Sequence, residues 1–368
     1  LPLLPGHFGR SFLEIGFALT LFNLVSLVVQ TPMGFACDRL GARRVLVAGL
    51  IVGGVSFLAL ALQPSYPVLL VAMAAAGLAN GVYHPADYAL LSTGIDGRRM
   101  GRAFSLHTFA GYLGTAISPP LLLGVAALAN VGAAFALAGV IGLAVAAVLV
   151  LMPRQPSAGP APAGEPSADG RPAVPDRRRL LSATVLVLTL MFVLLNLSTG
   201  GIQSFSVSAL VMDYGVDLAA ANTALTVFLF MSAAGVLAGG SLADRTRRHG
   251  FVASGAFLAT AIIAAYLAVG RPSPLAITVL LGLAGFLSGI ITPSRDMLVR
   301  AAAPKGAEGI VFGIVSTGFN IGGLIGPLLY AVLLDQRLGW AIFAVAAGFM
   351  LLTVALTLAH ELRARRVP

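Results

Sequence analysis

The sequence has one cysteine, Cys37, in 368 residues, so it can form neither an internal disulfide nor a multi-thiolate metal site. Charge is also scarce, at 10% of residues, and no Gly-x-x-x-x-Gly-Lys-Ser/Thr loop is present to cradle a nucleotide's phosphates. No His/Cys cluster has the spacing of a metal site, and no catalytic constellation stands out. These absences exclude ATP as the energy source and point to a chain that needs no cofactor and is not an enzyme. What fills the sequence instead is hydrocarbon: 58% of residues are hydrophobic and the mean hydropathy is +0.94, beyond the range of ordinary soluble domains.

Apolar runs of about 20 residues recur from end to end, each long enough to cross a hydrocarbon core as a helix. The alternating pattern of a membrane β-barrel is missing. The fold class expected is therefore all-α integral membrane, with the lipid bilayer as its surroundings. Spans are expected at 12–36, 45–63, 67–92, 103–127, 131–152, 181–211, 219–241, 251–269, 274–299, 308–334 and 338–360. The formal charge of +9 sits in short loops, so it speaks for membrane topology and against a nucleic-acid partner.

Between the fifth and sixth spans runs "PRQPSAGPAPAGEPSADGRPAVPDRRR", polar and holding seven of the 21 prolines. It reads as a flexible linker. The expected organisation is an N-terminal bundle of five spans over 1–152, a linker over 153–180 and a six-helix C-terminal bundle over 181–368.

The two bundles repeat each other. A shift of 206 residues lays Gly34, Asp38 and Arg39 on Gly240, Asp244 and Arg245. A shift of 208 lays Gly77, Gly81, Pro85, Leu90, Gly101, Phe104, Gly114 and Pro119 on Gly285, Gly289, Pro293, Leu298, Gly309, Phe312, Gly322 and Pro327. The same shift leaves the span at 181–211 without a counterpart in the first bundle, and "LPLLPGHFGRS" reads as the tail of a span followed by a loop. A twelfth helix, first in order, is therefore expected to belong to the full architecture.

Basic residues set the orientation. Loops sharing one side carry Arg39, Arg43, Arg44, Arg98, Arg99, Arg102, the linker arginines, Arg245, Arg247, Arg248, Arg300 and Lys305, and the tail adds Arg363, Arg365 and Arg366. The opposite side has Arg10, Arg271 and Arg337. The basic side is expected to be cytoplasmic, which puts the linker and the C-terminus inside a cell's inner or plasma membrane.

Parallel repeats of six helices joined by a cytoplasmic linker are an architecture of secondary transporters. "GFACDRLGARRVL" resembles the loop signature of the major facilitator superfamily through Gly34, Asp38, Arg39, Gly41, Arg43 and Arg44. The second copy, at Gly240, Asp244 and Arg245, is degenerate, with Arg247 where Gly41 would stand. "GYLGTAISPP" is similar to a loose form of the Gly/Pro motif that exporters of this family carry on the fifth helix. The resemblance implies a fold of two pseudo-symmetric six-helix bundles and a small-molecule substrate moved by alternating access. It also implies that Asp38 and Arg39, with Asp244 and Arg245, act as conformational latches. The loop residues have a reading of their own: Gly41 permits a tight turn, and Arg43 and Arg44 suit an anionic inner leaflet.

Charge well inside a span costs about 2.5 to 3.5 kcal/mol on insertion scales and needs a partner or a wet cavity. His84 and Asp87 lie at i and i+3 on one helix face, with Asn80, Tyr83 and Tyr88 on neighbouring turns. Under the shift of 208, Asp87 maps to Arg295 and Tyr88 to Asp296, so a carboxylate and a guanidinium are expected at matching heights in the two halves, where they could pair. Three roles fit: a substrate or proton site, a gate latch, or a static ion pair. His107 is a further proton candidate. Asn196 and Gln203, at i and i+7, are hydrogen-bonding groups suited to orienting a substrate or to binding neighbouring helices.

The expected function is proton-coupled efflux of a small solute by a monomer, with the proton as coupling ion. Two alternatives stand beside it. One is uptake of a small organic or inorganic anion attracted by Arg295. The other is a non-transporting membrane scaffold or sensor.

Overall fold

The computed structural model describes residues 2–94, 100–153, 182–246, 248–302 and 308–364. The linker, and with it Arg98, Arg99, Arg247, Lys305, Arg365 and Arg366, lies outside the described residues, as do the side chains of Asp38, Tyr88, Arg102, Asp244 and Arg245. The described residues form helices throughout. A single-turn helix α1 (Leu4–Phe8) precedes α2 (Phe12–Leu40), α3 (Ala42–Leu62), α4 (Tyr66–Gly94), α5 (Met100–Leu128) and α6 (Val131–Leu151). After the linker come α7 (Ala183–Leu195), a π-helical turn over Asn196–Gly200, α8 (Gly201–Tyr214), α9 (Leu218–Arg245), α10 (His249–Val269), α11 (Pro274–Ala302), α12 (Glu308–Asp335) and α13 (Gly339–Ala364). Counting α7, the π-turn and α8 as one span, 11 spans among the described residues are long and apolar enough to cross a membrane. Each coincides with a span expected from the hydrophobic runs.

The helices cluster into two compact units, α1–α6 in one and α7–α13 in the other, except that Tyr112–Ile117 of α5 groups with the second. Local chemistry sets several helix starts. Ser11 and Glu14 make a reciprocal capping box at α2, with Glu14 N–H donating to Ser11 Oγ at 3.1 Å and Ser11 N–H to Glu14 Oε2 at 3.0 Å. Asn130 caps α6 and Asp217 caps α9 in the same way, through side-chain oxygens on first-turn N–H groups.

Among the helix pairs that approach to backbone contact, one pair does so at equivalent positions in both units. In the first unit α4 lies against α2, where a Cβ on Gly77 would stand 2.3 Å from Phe22 O and one on Gly81 3.1 Å from Ser26 O. In the second, α11 lies against α9, where a Cβ on Gly285 would stand 2.1 Å from Phe228 O and one on Gly289 2.1 Å from Ser232 O. Phe22 and Ser26 map to Phe228 and Ser232 under the shift of 206; Gly77 and Gly81 map to Gly285 and Gly289 under the shift of 208. The two offsets therefore belong to two different helices of the repeat, which is why one offset alone does not superimpose the halves. Small residues allow this approach because lipid tails supply no hydrophobic drive between helices and close packing must do so instead.

Candidate functional site

In the first unit, α4 carries the polar positions and α2 and α3 sort them. The Gly77/Gly81 edge faces α2, and there Asn80 Nδ2 donates to Ser26 Oγ at 2.8 Å, which binds Asn80 into the helix contact. Tyr83 turns toward α3: its hydroxyl lies 3.4 Å from where a Cβ of Gly53 would be, and its ring packs against the cluster of Cys37, Val45, Leu46, Val82 and Ala86. His84, one residue on, is exposed. Asp87 comes round to face α5, where its Oδ2 stands 3.7 Å from His107 Nε2. The two side chains keep 24% and 39% of their surface accessible, so neither is sealed inside the helix bundle. Pro85 lies inside α4 without ending it. The missing N–H leaves the Gly81 carbonyl without its usual partner one turn back, a loss tolerated where other groups or water take its place.

The loop motif is partly visible. Gly41 joins α2 to α3 at φ 90, a backbone region that L side chains rarely adopt, as a tight turn requires. Arg43 is occupied within its own half: its guanidinium donates to Leu149 O in the last turn of α6 and to Met152 O and Pro153 O, the two residues beyond its end. A cation on orphan carbonyls at a helix C-terminus is a favourable cap, so Arg43 ties α3 to the end of the first unit just before the linker. Arg39 and Arg44 are exposed. A Cβ on Gly34 or Gly240 would meet nothing within 4 Å.

In the second unit Arg295 lies on α11 with only 12% of its side chain accessible. Its guanidinium sits over the Phe192 ring of α7 at 4.6 Å and over the Phe319 ring of α12 at 5.2 Å. One oxygen of the adjacent Asp296 accepts from Nε at 2.9 Å and from Nη2 at 2.7 Å. Cation–π contact with the two rings on one side and a carboxylate on one edge together satisfy much of a charge that would otherwise be costly in an apolar span.

The π-turn breaks the first span of this unit at Asn196–Gly200. Thr199 Oγ1 and Ser198 Oγ both donate to Leu195 O, at 2.8 and 3.0 Å, and Tyr330 of α12 donates its hydroxyl to Leu197 O at 2.6 Å. Gly201 makes room for that tyrosine, since a Cβ there would lie 2.2 Å from the ring. The half-buried side chain of Asn196 packs by Gly200 and Gly322. The i, i+7 relation to Gln203 does not survive the π-turn: an inserted residue rotates the rest of the helix by about 100° of phase, so the two amides do not share a face.

The Tyr330 bond yields a direct test. Tyr330 is fully buried, and Tyr330→Phe keeps the ring while leaving the Leu197 carbonyl without this donor. The expected loss is about 1 to 3 kcal/mol, read as a lower melting temperature of the purified protein; an unchanged melting temperature would mean that the bond contributes nothing.

The sequence grouped His84 with Asp87, matched Asp87 to Arg295 and Tyr88 to Asp296 through the repeat, and left His107 on its own. Folding brings Asp87 to His107 and Arg295 to Asp296, and it leaves Tyr83 and Asn80 in helix contacts. Phe192, Phe319 and Tyr330 were not anticipated, because an aromatic in an apolar span carries no mark of which cation or carbonyl it will cover. The π-turn had one signal, the small polar run "NLSTGG" in the middle of a hydrophobic span.

Comparison with known proteins agrees with this architecture. The family model for the Major Facilitator Superfamily matches residues 1–212 and 188–367. The fosmidomycin resistance protein of Escherichia coli K12 is 26% identical over 358 residues, covering 95% of this chain and 85% of that protein. The gallate transporter of Pseudomonas putida is 27% identical over 168 residues, which are 45% of this chain and 36% of that protein. The solved structure of the nucleoside transporter NupG aligns with a TM-score of 0.73 over 97% of this chain and 93% of that one, at 11% identity, a likeness of fold alone.

Proposed function

The chain belongs to the major facilitator superfamily, and from that premise we propose that it exports a small organic solute across the inner membrane by alternating access, driven by protons. As a member of that superfamily it is a multi-pass membrane transporter of small solutes. The observation that carries the coupling is the meeting of Asp87 and His107 on consecutive helices, both partly accessible and 3.7 Å apart. A carboxylate and an imidazole this close are two groups that can each take and release a proton, and their partial accessibility leaves the proton a way in. His84, exposed on the next turn of α4, is a third group for the same relay. The basic loops support a cytoplasmic linker and C-terminus.

Direction rests on two supports: the partial Gly/Pro motif at Gly111, Gly114, Pro119 and Pro120, and the name of the Escherichia coli relative, a resistance protein. A second reading, uptake of an anion, is favoured by Arg295 and by a relative named as a gallate transporter. Proteoliposomes loaded with a pH-sensitive dye separate the two. Export by exchange moves protons opposite to the added solute, so solute entering the vesicle draws protons out. Protons entering together with the solute would overturn export in favour of uptake.

A further inference from the structure

The ion pair on α11 is unequal. Arg295 is the more enclosed partner: two phenylalanine rings pack on one side of its guanidinium and 12% of the side chain is accessible. Asp296 is 39% accessible and holds the guanidinium through one oxygen. For a carboxylate so exposed, exchanging an ion pair for water changes little, because such pairs contribute about 0 to 1 kcal/mol. The fixed partner is therefore the cation and the exchangeable partner is the acid.

The guanidinium also has unused capacity. It carries five N–H donors in a plane, and Asp296 takes the edge formed by Nε and Nη2. Among the described residues no acceptor is bonded to Nη1. Both rings pack on one side of the guanidinium, in contact with each other at 4.7 Å between centroids, and its edges remain open to an acceptor in its plane. Planar, two-oxygen groups fit such an edge, and point-like or neutral groups do not.

We propose that the Nε–Nη2 edge of Arg295, with Nη1 as a further donor, binds an oxyanion of the transported solute, a carboxylate or a phosphate group, and that Asp296 is a tethered stand-in that occupies that edge when the solute is absent. The solute displaces the stand-in, and Asp296 takes back the edge when the solute leaves. The charge of Arg295 is thus never left bare between turnovers. This inference rests on the reading of the chain as a small-solute transporter and names the chemical class of what it carries.

The sign of a single substitution tests it. Binding of benzoate and of methyl phosphate, with neutral benzamide as control, is to be measured by calorimetry on the whole protein in lipid nanodiscs. Asp296→Asn removes the competitor and is expected to bind the preferred anion about tenfold tighter than the unaltered protein. Arg295→Gln is expected to lose binding, and Arg295→Lys, which keeps the charge but not the planar fork, to bind at least about tenfold more weakly. Which anion responds distinguishes a carboxylate from a phosphate solute. Equal or weaker anion binding by Asp296→Asn would overturn the proposal, as would equal binding of benzamide and benzoate, or no binding of either anion to any variant. Should Asp296→Asn fail to fold, Asp296→Ser makes the same comparison. Proton flux through Asp87 is measured without these probes, so the failure of one reading leaves the other standing.

Discussion

Asp87→Asn is expected to reduce pH-driven flux in proteoliposomes to the level of empty vesicles while the protein still inserts, purifies and melts much as before. The substitution preserves the shape of the side chain and removes its capacity to exchange a proton at any working pH. It also removes the charge that faces His107 Nε2 at 3.7 Å. The stability change is small because both side chains are partly accessible and an exposed pair of this kind contributes about 0 to 1 kcal/mol. The functional change is large because, among the described residues, no other carboxylate is placed at this contact. His107→Gln leaves Asp87 ionisable and is expected to slow the flux without ending it. Unaltered pH-driven transport by Asp87→Asn would remove this residue from coupling and leave the Asp87–His107 contact as packing.

Gly285→Ala is expected to be among the most damaging small substitutions in the chain. Its new methyl would stand 2.1 Å from Phe228 O, 2.8 Å from Phe228 C and 2.9 Å from Phe228 Cα, all backbone atoms of the facing helix. No side-chain rotamer can relieve a clash with backbone, so α9 and α11 must separate and the neighbouring contact at Gly289 opens with them. Overpacking costs about 1 to 3 kcal/mol and occasionally more, and with two successive turns strained the upper end is expected. Gly77→Ala should behave alike in the first unit, where the methyl would lie 2.3 Å from Phe22 O. Gly255→Ala is the contrast: nothing lies within 4 Å of a Cβ there, and alanine is the better helix former by about 1 kcal/mol. Melting of the three purified variants in one detergent decides the matter. Equal melting temperatures for Gly285→Ala and Gly255→Ala would disprove the close approach of α9 and α11.

The spans and the repeat could be read before any coordinates because each depends on one helix at a time. A run of about 20 apolar residues must become a helix in lipid, whatever stands beside it. Glycines four apart followed by a proline, as in Gly77, Gly81 and Pro85 or Gly285, Gly289 and Pro293, mark a helix built for close approach even when its neighbour is unknown. The family signature at Gly34–Arg44 is local too, and so is the turn that Gly41 was expected to make.

Partnership was another matter. Asp87 and His107 were each visible as a titratable group inside the membrane, yet their meeting depends on the rotation of α4 and α5 about their axes, which hydrophobicity distributed all round a helix leaves undetermined. Arg295 was expected at a height matching Asp87 of the other half, where the two could pair. Within its own half it is held by Asp296 beside it and by Phe192 and Phe319 on two other helices, because a guanidinium in an apolar setting is drawn to any ring face and carboxylate within reach. Asn196 and Gln203 parted because a π-turn adds a residue that no periodicity announces. Composition and spacing settle what crosses the membrane and how often, since the cost of exposing backbone to lipid falls on each segment alone; the facing of each polar side chain emerges from packing, where rotations of a few tens of degrees change its partner.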